Sequence, residues 1–483
     1  MALSQLPWEI LREICSHLDN QDERSYADNG HPALCALALT CRRLSAVAVN
    51  IIYANIELIF NGKGAKDIER IDLLNRSCRE NPSLVDRIQS FRIGSSYDQA
   101  VAAYDAFLGY LAVSTSLKTL ISNLHGTWTA LPNLYNYRDG SFPQLRDLEI
   151  GLHRVGGKAG YLPAEQVVRL CKLPNLEKLT MYAPIHGFVT NNAVAFETFT
   201  ELEHLHFYHS RPVSVAVLEW IIPRTPNLKC LKLSVPGEAT EIDRKLADDS
   251  SMLGFDLDEP LRPAFSGTLF AIAADKLRKL TIDTVNVQFP SHDGSRLDLS
   301  DFTKLSQLEI SAPLVFGTGK TAASCAWSSE FRKRLPPRIE KLDLLFDNDQ
   351  GVFWSLGDMR AHERSKKFGE LWQRRLDASY VEWLTDVLDR KREDGSSLKT
   401  LTVAEDPVID RDQNWKIVQW YMTDRLKAAA SAAGVELIIK LRVPRKFESS
   451  EFEVYEESWS WGKPGTVSYD DDEEGEVEGD IVE

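Results

Sequence analysis

Apolar residues recur along this chain with two different periods. Leu6, Ile10, Ile14 and Leu18 follow one another at intervals of four, the spacing of one face of an α-helix, and Leu11 and Cys15 widen that face to roughly half the cylinder. Pro7 stands where a helix tolerates it, in the first turn, because its missing N–H would have had no intrahelical acceptor. Gly30 and Pro32 break the chain, after which Leu34, Leu37, Cys41, Leu44 and Ala48 repeat at three-four-three-four spacing and predict further helix. Helices this short and apolar cannot bury their surface on one another alone. One face is expected to want a partner.

From residue 117 onward the period shortens to that of strands. The segments beginning at Leu117, Leu145, Leu176, Leu202, Leu228, Leu277, Leu305, Ile339 and Leu398 share the pattern apolar-x-x-Leu-x-apolar, with Ser122 at the sixth place of the first, and their starts lie 26 to 34 residues apart except for two intervals of 49 and 59. Pro143, Pro174, Pro226 and Pro337, or Thr200 and Thr303, stand two residues ahead of the motif, so the expected context is helix, stop, strand. Each strand would bury its first, fourth and sixth residues, which no single unit could do alone. The expected architecture is α/β, a parallel sheet in one layer and helices in the other. Insertions near 234–275 and 346–397 fill the long intervals, each with room for an extra helix or a degenerate repeat. Leu371, Leu376, Tyr380, Leu384, Val387 and Leu388 predict one amphipathic helix, and Trp415, Val418, Met422 and Leu426 another, ended by Gly434 as C-cap. Val435 to Lys440 reads as the last strand.

Composition narrows the function classes. The chain has 483 residues, 43% of them apolar, and shows neither an apolar run long enough for a membrane span nor a secretory signal, so a cytoplasmic or nuclear protein without a membrane partner is expected. Seven cysteines, odd in number and without a Cys-x-x-Cys pair, fit reduced and mostly buried thiols. Glu448 to Glu483 hold 14 acidic residues and one lysine, about −13 of the formal −15. That tail is expected to be disordered, with Trp459 and Trp461 fastening its start. The rest is close to neutral, which argues against nucleic acid as a partner.

The N-terminal residues resemble an F-box: Leu6, Pro7, Glu9, Ile10, Leu11, Ile14 and Leu18 match its first part, and Leu34, Leu37, Leu39, Thr40, Cys41, Arg42, Arg43 and Leu44, followed by Ile51, Ile52 and Tyr53, its second. Asp19 to His31 is a longer and more polar spacer than that family usually has. The segments from about Leu84 to Lys440 resemble irregular leucine-rich repeats, without the Asn or Cys usual three residues after the motif. The implied organisation is an all-α F-box at 1–60, a leucine-rich-repeat-like α/β solenoid at 61–447 and the acidic tail at 448–483. The resemblance implies a non-catalytic substrate-recognition subunit of a Skp/cullin/F-box ubiquitin ligase, binding the Skp-family adaptor through Leu6, Pro7, Ile10, Leu11, Ile14, Leu18, Leu37 and Leu44 and holding a client protein on the repeats. A scaffold without ubiquitination is the alternative.

The third and fifth residues of each motif point away from the core. This nominates Asp147, Glu149, Lys178, Thr180, His204, His206, Tyr208, Lys232, Lys279, Gln307, Glu309, Lys341 and Asp343 as the recognition surface, mixed in sign as protein recognition prefers. His204, His206 and His209 could hold a metal, though no carboxylate or fourth ligand is fixed nearby. Gly317-Thr-Gly-Lys320-Thr321 looks like the end of a P-loop, the signal for a minor NTPase alternative, but Leu314 occupies the place of its first glycine. No Gly-x-Ser-x-Gly elbow or His-Glu-x-x-His helix is present. No cofactor is expected.

Overall fold

The computed structural model describes residues 6–19, 32–60, 65–95, 99–125, 131–138, 140–153, 162–182, 185–186, 198–207, 215–236, 273–285, 297–312, 314, 333–347, 382–406, 415–420, 424–444 and 452–454. Three helices come first: α1 (Trp8–Asp19), α2 (Pro32–Ala38) and α3 (Arg42–Ala54). Their shared core is small. Leu11 and Cys15 from α1, Leu34 from α2 and Leu44, Val47 and Ala48 from α3 close on one another. A unit this size rarely folds unaided, and α3 shows what supports it. Its Leu44, Val47, Ala48, Ile51 and Ile52 face the small core, while Val49 and Tyr53, four apart on another face, pack against the main one.

Without an intervening loop, α3 runs into β1 (Asn55–Phe60), Asn55 turning extended at φ −129° and ψ 104°. The sheet then grows in chain order. It continues with α4 (Ala65–Glu80), β2 (Ser90–Ser95), α5 (Gln99–Leu111), β3 (Thr119–His125), α6 (Pro132–Tyr135), β4 (Asp147–His153), β5 (Leu162–Pro163), α7 (Ala164–Cys171), β6 (Lys178–Tyr182) and β7 (Ile185–His186). Next come β8 (His204–Phe207), α8 (Val215–Ile221), β9 (Cys230–Pro236), β10 (Lys279–Val285), β11 (Gln307–Ser311), β12 (Lys341–Asp347), α9 (Glu382–Asp394) and β13 (Thr400–Asp406). The described chain ends with β14 (Trp415–Trp420), α10 (Asp424–Ala433), β15 (Glu436–Pro444) and β16 (Phe452–Val454). Fourteen strands form one sheet, in the order β1-β2-β3-β4-β6-β8-β9-β10-β11-β12-β13-β15-β14-β16, and the twelve up to β15 are parallel. The two-residue strands β5 and β7 pair separately.

Register repeats from strand to strand. Leu120, Leu148, Leu179, Leu205, Leu231, Leu280, Leu308, Leu342 and Leu401, the fourth motif residues, and then Leu437 of β15 are Cα partners in succession, and none is more than 3% exposed. Burying each contributes roughly 1.5–3 kcal/mol. At the start of each strand the second motif residue offers its carbonyl to two N–H groups of the next unit. Lys118 accepts from Arg146 and Asp147, Arg146 from Glu177 and Lys178, and Glu177 from Glu203 and His204, at 2.8–3.0 Å. The asparagines expected after the motif are absent, but two stand just before it: Asn175 and Asn227 donate their side-chain N–H to the carbonyls of Pro143 and Thr200 in the preceding unit.

Helices cover the apolar side. On α5, Tyr104, Phe107, Leu108 and Leu111 are fully buried, and the ring of Phe91 from β2 lies 5.0 Å from Phe107 and 6.0 Å from Tyr104. Asp105, 9% exposed, is matched by Asn133, whose backbone N–H (2.9 Å) and side-chain N–H (2.8 Å) both donate to its carboxylate.

Three expectations are corrected. Val435 to Lys440 is not the last strand: β16, which lies inside the tail expected to be disordered, pairs antiparallel with β14 from Val418↔Val454 to Trp420↔Phe452. The segment 415–426 is not one helix. Trp415–Trp420 is a strand, antiparallel to β15 from Trp415↔Pro444 to Gln419↔Lys440, and helix begins only at Asp424. Aromatic and β-branched residues suit a pleated surface, and β15 would otherwise leave a row of unpaired backbone groups. Nor does either insertion place a strand between its neighbours, since β9 pairs directly with β10 and β12 with β13. Residues 371–381 of the helix expected there lie outside the described residues, while Leu384 and Leu388 are buried on α9. Gly434 does end α10, at φ +63°, with Val435 N–H reaching Ala430 and Gly434 N–H reaching Ser431.

Candidate functional site

Two surfaces carry the residues singled out from sequence. On the first, the N-terminal helices, the eight predicted docking residues divide. Leu11 and Leu44 are 1% and 5% exposed and build the small core, so neither is open to a partner. Their inward turn follows from helix geometry: Leu11 lies one turn from Cys15 on α1 and Leu44 one turn from Val47 and Ala48 on α3, and these faces meet in the core the three helices share. Pro7 is exposed, Ile10 is 42% exposed, and Leu6, Ile14 and Leu37 are half-buried. Leu18 belongs to α1, but its side chain lies outside the described residues. Two residues outside that set stand open, Trp8 at 41% and Leu39 at 88% exposure. Leu39 lies beyond the last turn of α2, where no helical face covers it. Its place next to Thr40 and Cys41 was the available signal.

The second surface is the side of the sheet away from the leucines. Strand alternation brings the predicted residues onto it in two parallel rows. Asp147, Lys178, His204, Cys230, Lys279, Gln307 and Lys341 are successive Cα partners in one row. Glu149, Thr180, His206, Lys232, Thr281, Glu309 and Asp343 form the other. Tyr208 lies outside the described residues, as do His209 and Gly317–Thr321.

Much of this surface is already paired. Lys178 Nζ meets Asp147 Oδ2 at 3.0 Å, and Lys341 Nζ meets Asp343 Oδ2 at 3.2 Å. Asn123 Nδ2 donates to Glu149 Oε1 at 3.2 Å, and Thr281 Oγ1 donates to Glu309 Oε2 at 3.1 Å. The two lysine–aspartate pairs, partly exposed, add little stability, typically 0–1 kcal/mol each. Their effect is to hold charges of both signs in fixed positions.

At the middle of the rows the chemistry changes. His206 is 7% exposed; its Nδ1 lies 3.5 Å from Thr180 Oγ1 and its Nε2 3.4 Å from Cys230 Sγ. His204 stands edge-on to it, ring centroids 6.2 Å apart. The ligating atoms of His204, His206 and Cys230 all lie within 4.8 Å of one another. Burial, and then the charges of Lys232, Lys178, His204 and Lys279, push the His206 pKa down to about 3. Burial pushes the Cys230 thiol up despite Lys232 and Lys279. A thiol beside an imidazole resembles a nucleophile and its base, yet these shifts keep both groups neutral. A catalytic cysteine needs the thiolate.

Cys230 was not read as a surface residue from sequence, although the signal was there. It holds the third position of its own motif, opposite His204.

Among the described residues no helix is long and apolar enough to cross a membrane. No curated protein matches the chain closely enough to be counted a relative. The F-box-like family model matches residues 3–58, a span that holds α1, α2, α3 and the start of β1, and so the chain carries an F-box-like domain at its N-terminal end.

Proposed function

We propose that this protein is a non-catalytic substrate-recognition subunit of a Skp/cullin/F-box ubiquitin ligase, its sheet domain being an irregular leucine-rich-repeat solenoid that holds a client protein. The observation that carries this reading is the F-box-like match at 3–58 combined with the apolar side chains left uncovered there, Trp8, Ile10 and Leu39. Large apolar side chains left exposed beside an F-box-like match suit a protein partner. In this reading the adaptor covers Pro7, Trp8, Ile10 and Leu39, while Leu11 and Leu44 act from beneath by fixing the helices that present them. The client meets the two rows that run from Asp147 and Glu149 to Lys341 and Asp343. Ubiquitin transfer would then be accelerated by position: a client lysine is held near a loaded enzyme, and effective concentration rises without a reacting group on this chain.

Co-purification with a Skp-family adaptor tests the first contact. Ile10→Asp combined with Leu39→Asp should abolish it while leaving the sheet domain folded by circular dichroism. Retention of the adaptor by the double variant would refute the docking surface. Ubiquitin transfer to a captured client, compared with and without the cullin, separates a ligase subunit from a scaffold.

A further inference from the structure

We infer that His204, His206 and Cys230 form a zinc site on the open side of the sheet, with three protein ligands and a fourth position facing solvent. The inference rests on these residues alone and stands whether or not the chain serves a ligase. The fold builds the triad. His204 and Cys230 are Cα partners across β8 and β9, and His206 lies two residues further along β8, so all three side chains leave the same face.

The spacing suits the metal. Zinc bound tetrahedrally at about 2.3 Å from sulfur and about 2.0–2.1 Å from nitrogen sets its N and S ligands roughly 3.5 Å apart. Nε2 of His206 and Sγ of Cys230 are already 3.4 Å apart, and the third donor lies within 4.8 Å of both. A modest rotation of the half-buried His204 ring closes the triangle. Two imidazoles and one thiolate form a borderline-soft set that favours zinc over magnesium or calcium.

Support around the triad follows the usual pattern for a metal-bound histidine, whose second nitrogen is held by a neighbour. Here Thr180 Oγ1 lies 3.5 Å from Nδ1 of His206, leaving Nε2 aimed at Cys230. The surrounding lysines oppose a cation, but two are committed elsewhere: Lys178 to Asp147 and Lys229 to Glu203. On binding, the Cys230 thiol proton passes to water, so the thiolate cancels one of the two charges that zinc brings and the site gains a net +1. The side left open by three ligands is the exposed side of His204, where water completes the shell.

The test uses the full-length protein, stripped by chelator and titrated with Co²⁺ as the spectroscopic substitute for zinc. A single equivalent should produce visible bands of tetrahedral cobalt together with a near-ultraviolet thiolate-to-metal band, and Zn²⁺ should displace both. Cys230→Ser, nearly isosteric, should abolish the thiolate band, and His204→Gln should weaken binding by roughly tenfold or more. Cys35→Ser, at an exposed cysteine elsewhere, should leave the spectrum intact. Absence of the thiolate band in the parent, an unchanged spectrum in Cys230→Ser, or unchanged affinity in His204→Gln would each overturn the assignment. Melting curves for both variants keep a folding defect from being taken for lost binding.

Discussion

Gly151→Ala tests the register of the sheet through a single methyl group. Gly151 on β4 is the Cα partner of Asn123 on β3. A Cβ at Gly151 would lie 2.3 Å from Asn123 Oδ1, 3.1 Å from its Cγ and 3.4 Å from its Cα. The first distance is far inside contact, so the Asn123 amide must rotate. Rotation breaks its 3.2 Å hydrogen bond to the Glu149 carboxylate, worth about 1.5–3 kcal/mol for a charged acceptor, and an off-rotamer side chain costs a further ~0.5–1.5 kcal/mol. Against this, replacing a strand glycine by alanine returns ~0.5–1 kcal/mol. The net expectation is a loss of about 1–4 kcal/mol. In an Asn123→Ala background nothing remains to collide with, and the same substitution should be neutral or slightly stabilising. Equilibrium unfolding of the four proteins in urea, followed by tryptophan fluorescence with a common m-value, gives the coupling directly. A coupling energy below ~0.5 kcal/mol would mean that these side chains do not face each other and that the β3–β4 register is wrong.

Four further outcomes are expected. Leu11→Ala, at 1% exposure, should cost about 2–5 kcal/mol and melt α1 and α2 selectively, read as lost hydrogen-exchange protection there with the strands still protected. Asn133→Ala removes the side-chain donor to the Asp105 carboxylate but keeps the backbone N–H and should destabilise by about 1–3 kcal/mol, measured by chemical denaturation; a change under ~0.5 kcal/mol would contradict the pairing. For metal-free protein, the His206 pKa of about 3 against 6.5 means that the unfolded chain takes up that proton first. Stability from this residue is therefore complete above about pH 6.5 and falls by a few kcal/mol as pH drops toward 3. A pH titration of the unfolding midpoint should be flatter in His206→Asn, and equal slopes would refute it. Finally, Leu39→Ser should leave the melting temperature unchanged while weakening adaptor capture, because a side chain 88% exposed has little packing to lose.

The legible part of the sequence was the part written in leucine. Every apolar-x-x-Leu segment named from Leu117 to Leu398 lies at a parallel strand, because burying the fourth and sixth residues admits only the pleated period. The first two strands use the same positions with other residues. Tyr53, Ile56 and Leu58 serve β1, and Ile88, Phe91 and Ile93 serve β2. A search keyed to leucine passes over both. The misreading of Trp415–Trp420 has another cause: four-residue spacing of large side chains is shared by a helix and by an irregular aromatic strand, and only the bare side of β15 decides between them. For the N-terminal helices, periodicity identified the apolar residues but not which ones a neighbour already covers. Leu11 and Ile10 are adjacent in sequence and opposite in exposure. Cys230 needed the cross-strand pairing, since nothing in its own segment points to His204.

The direct passage of α3 into β1 has a mechanical consequence. With no flexible joint between Ala54 and Asn55, the helix is a lever arm fixed to the first strand, and whatever grips the N-terminal helices also aims the sheet. One residue inserted at that junction would advance the helix by about 100° of rotation and about 1.5 Å of rise. Affinity at either end could survive such a change, yet the bearing between the two ends would be lost. On the proposed function, the protein would then be a compass with a slipped needle, its two binding surfaces intact and no longer pointed at one another.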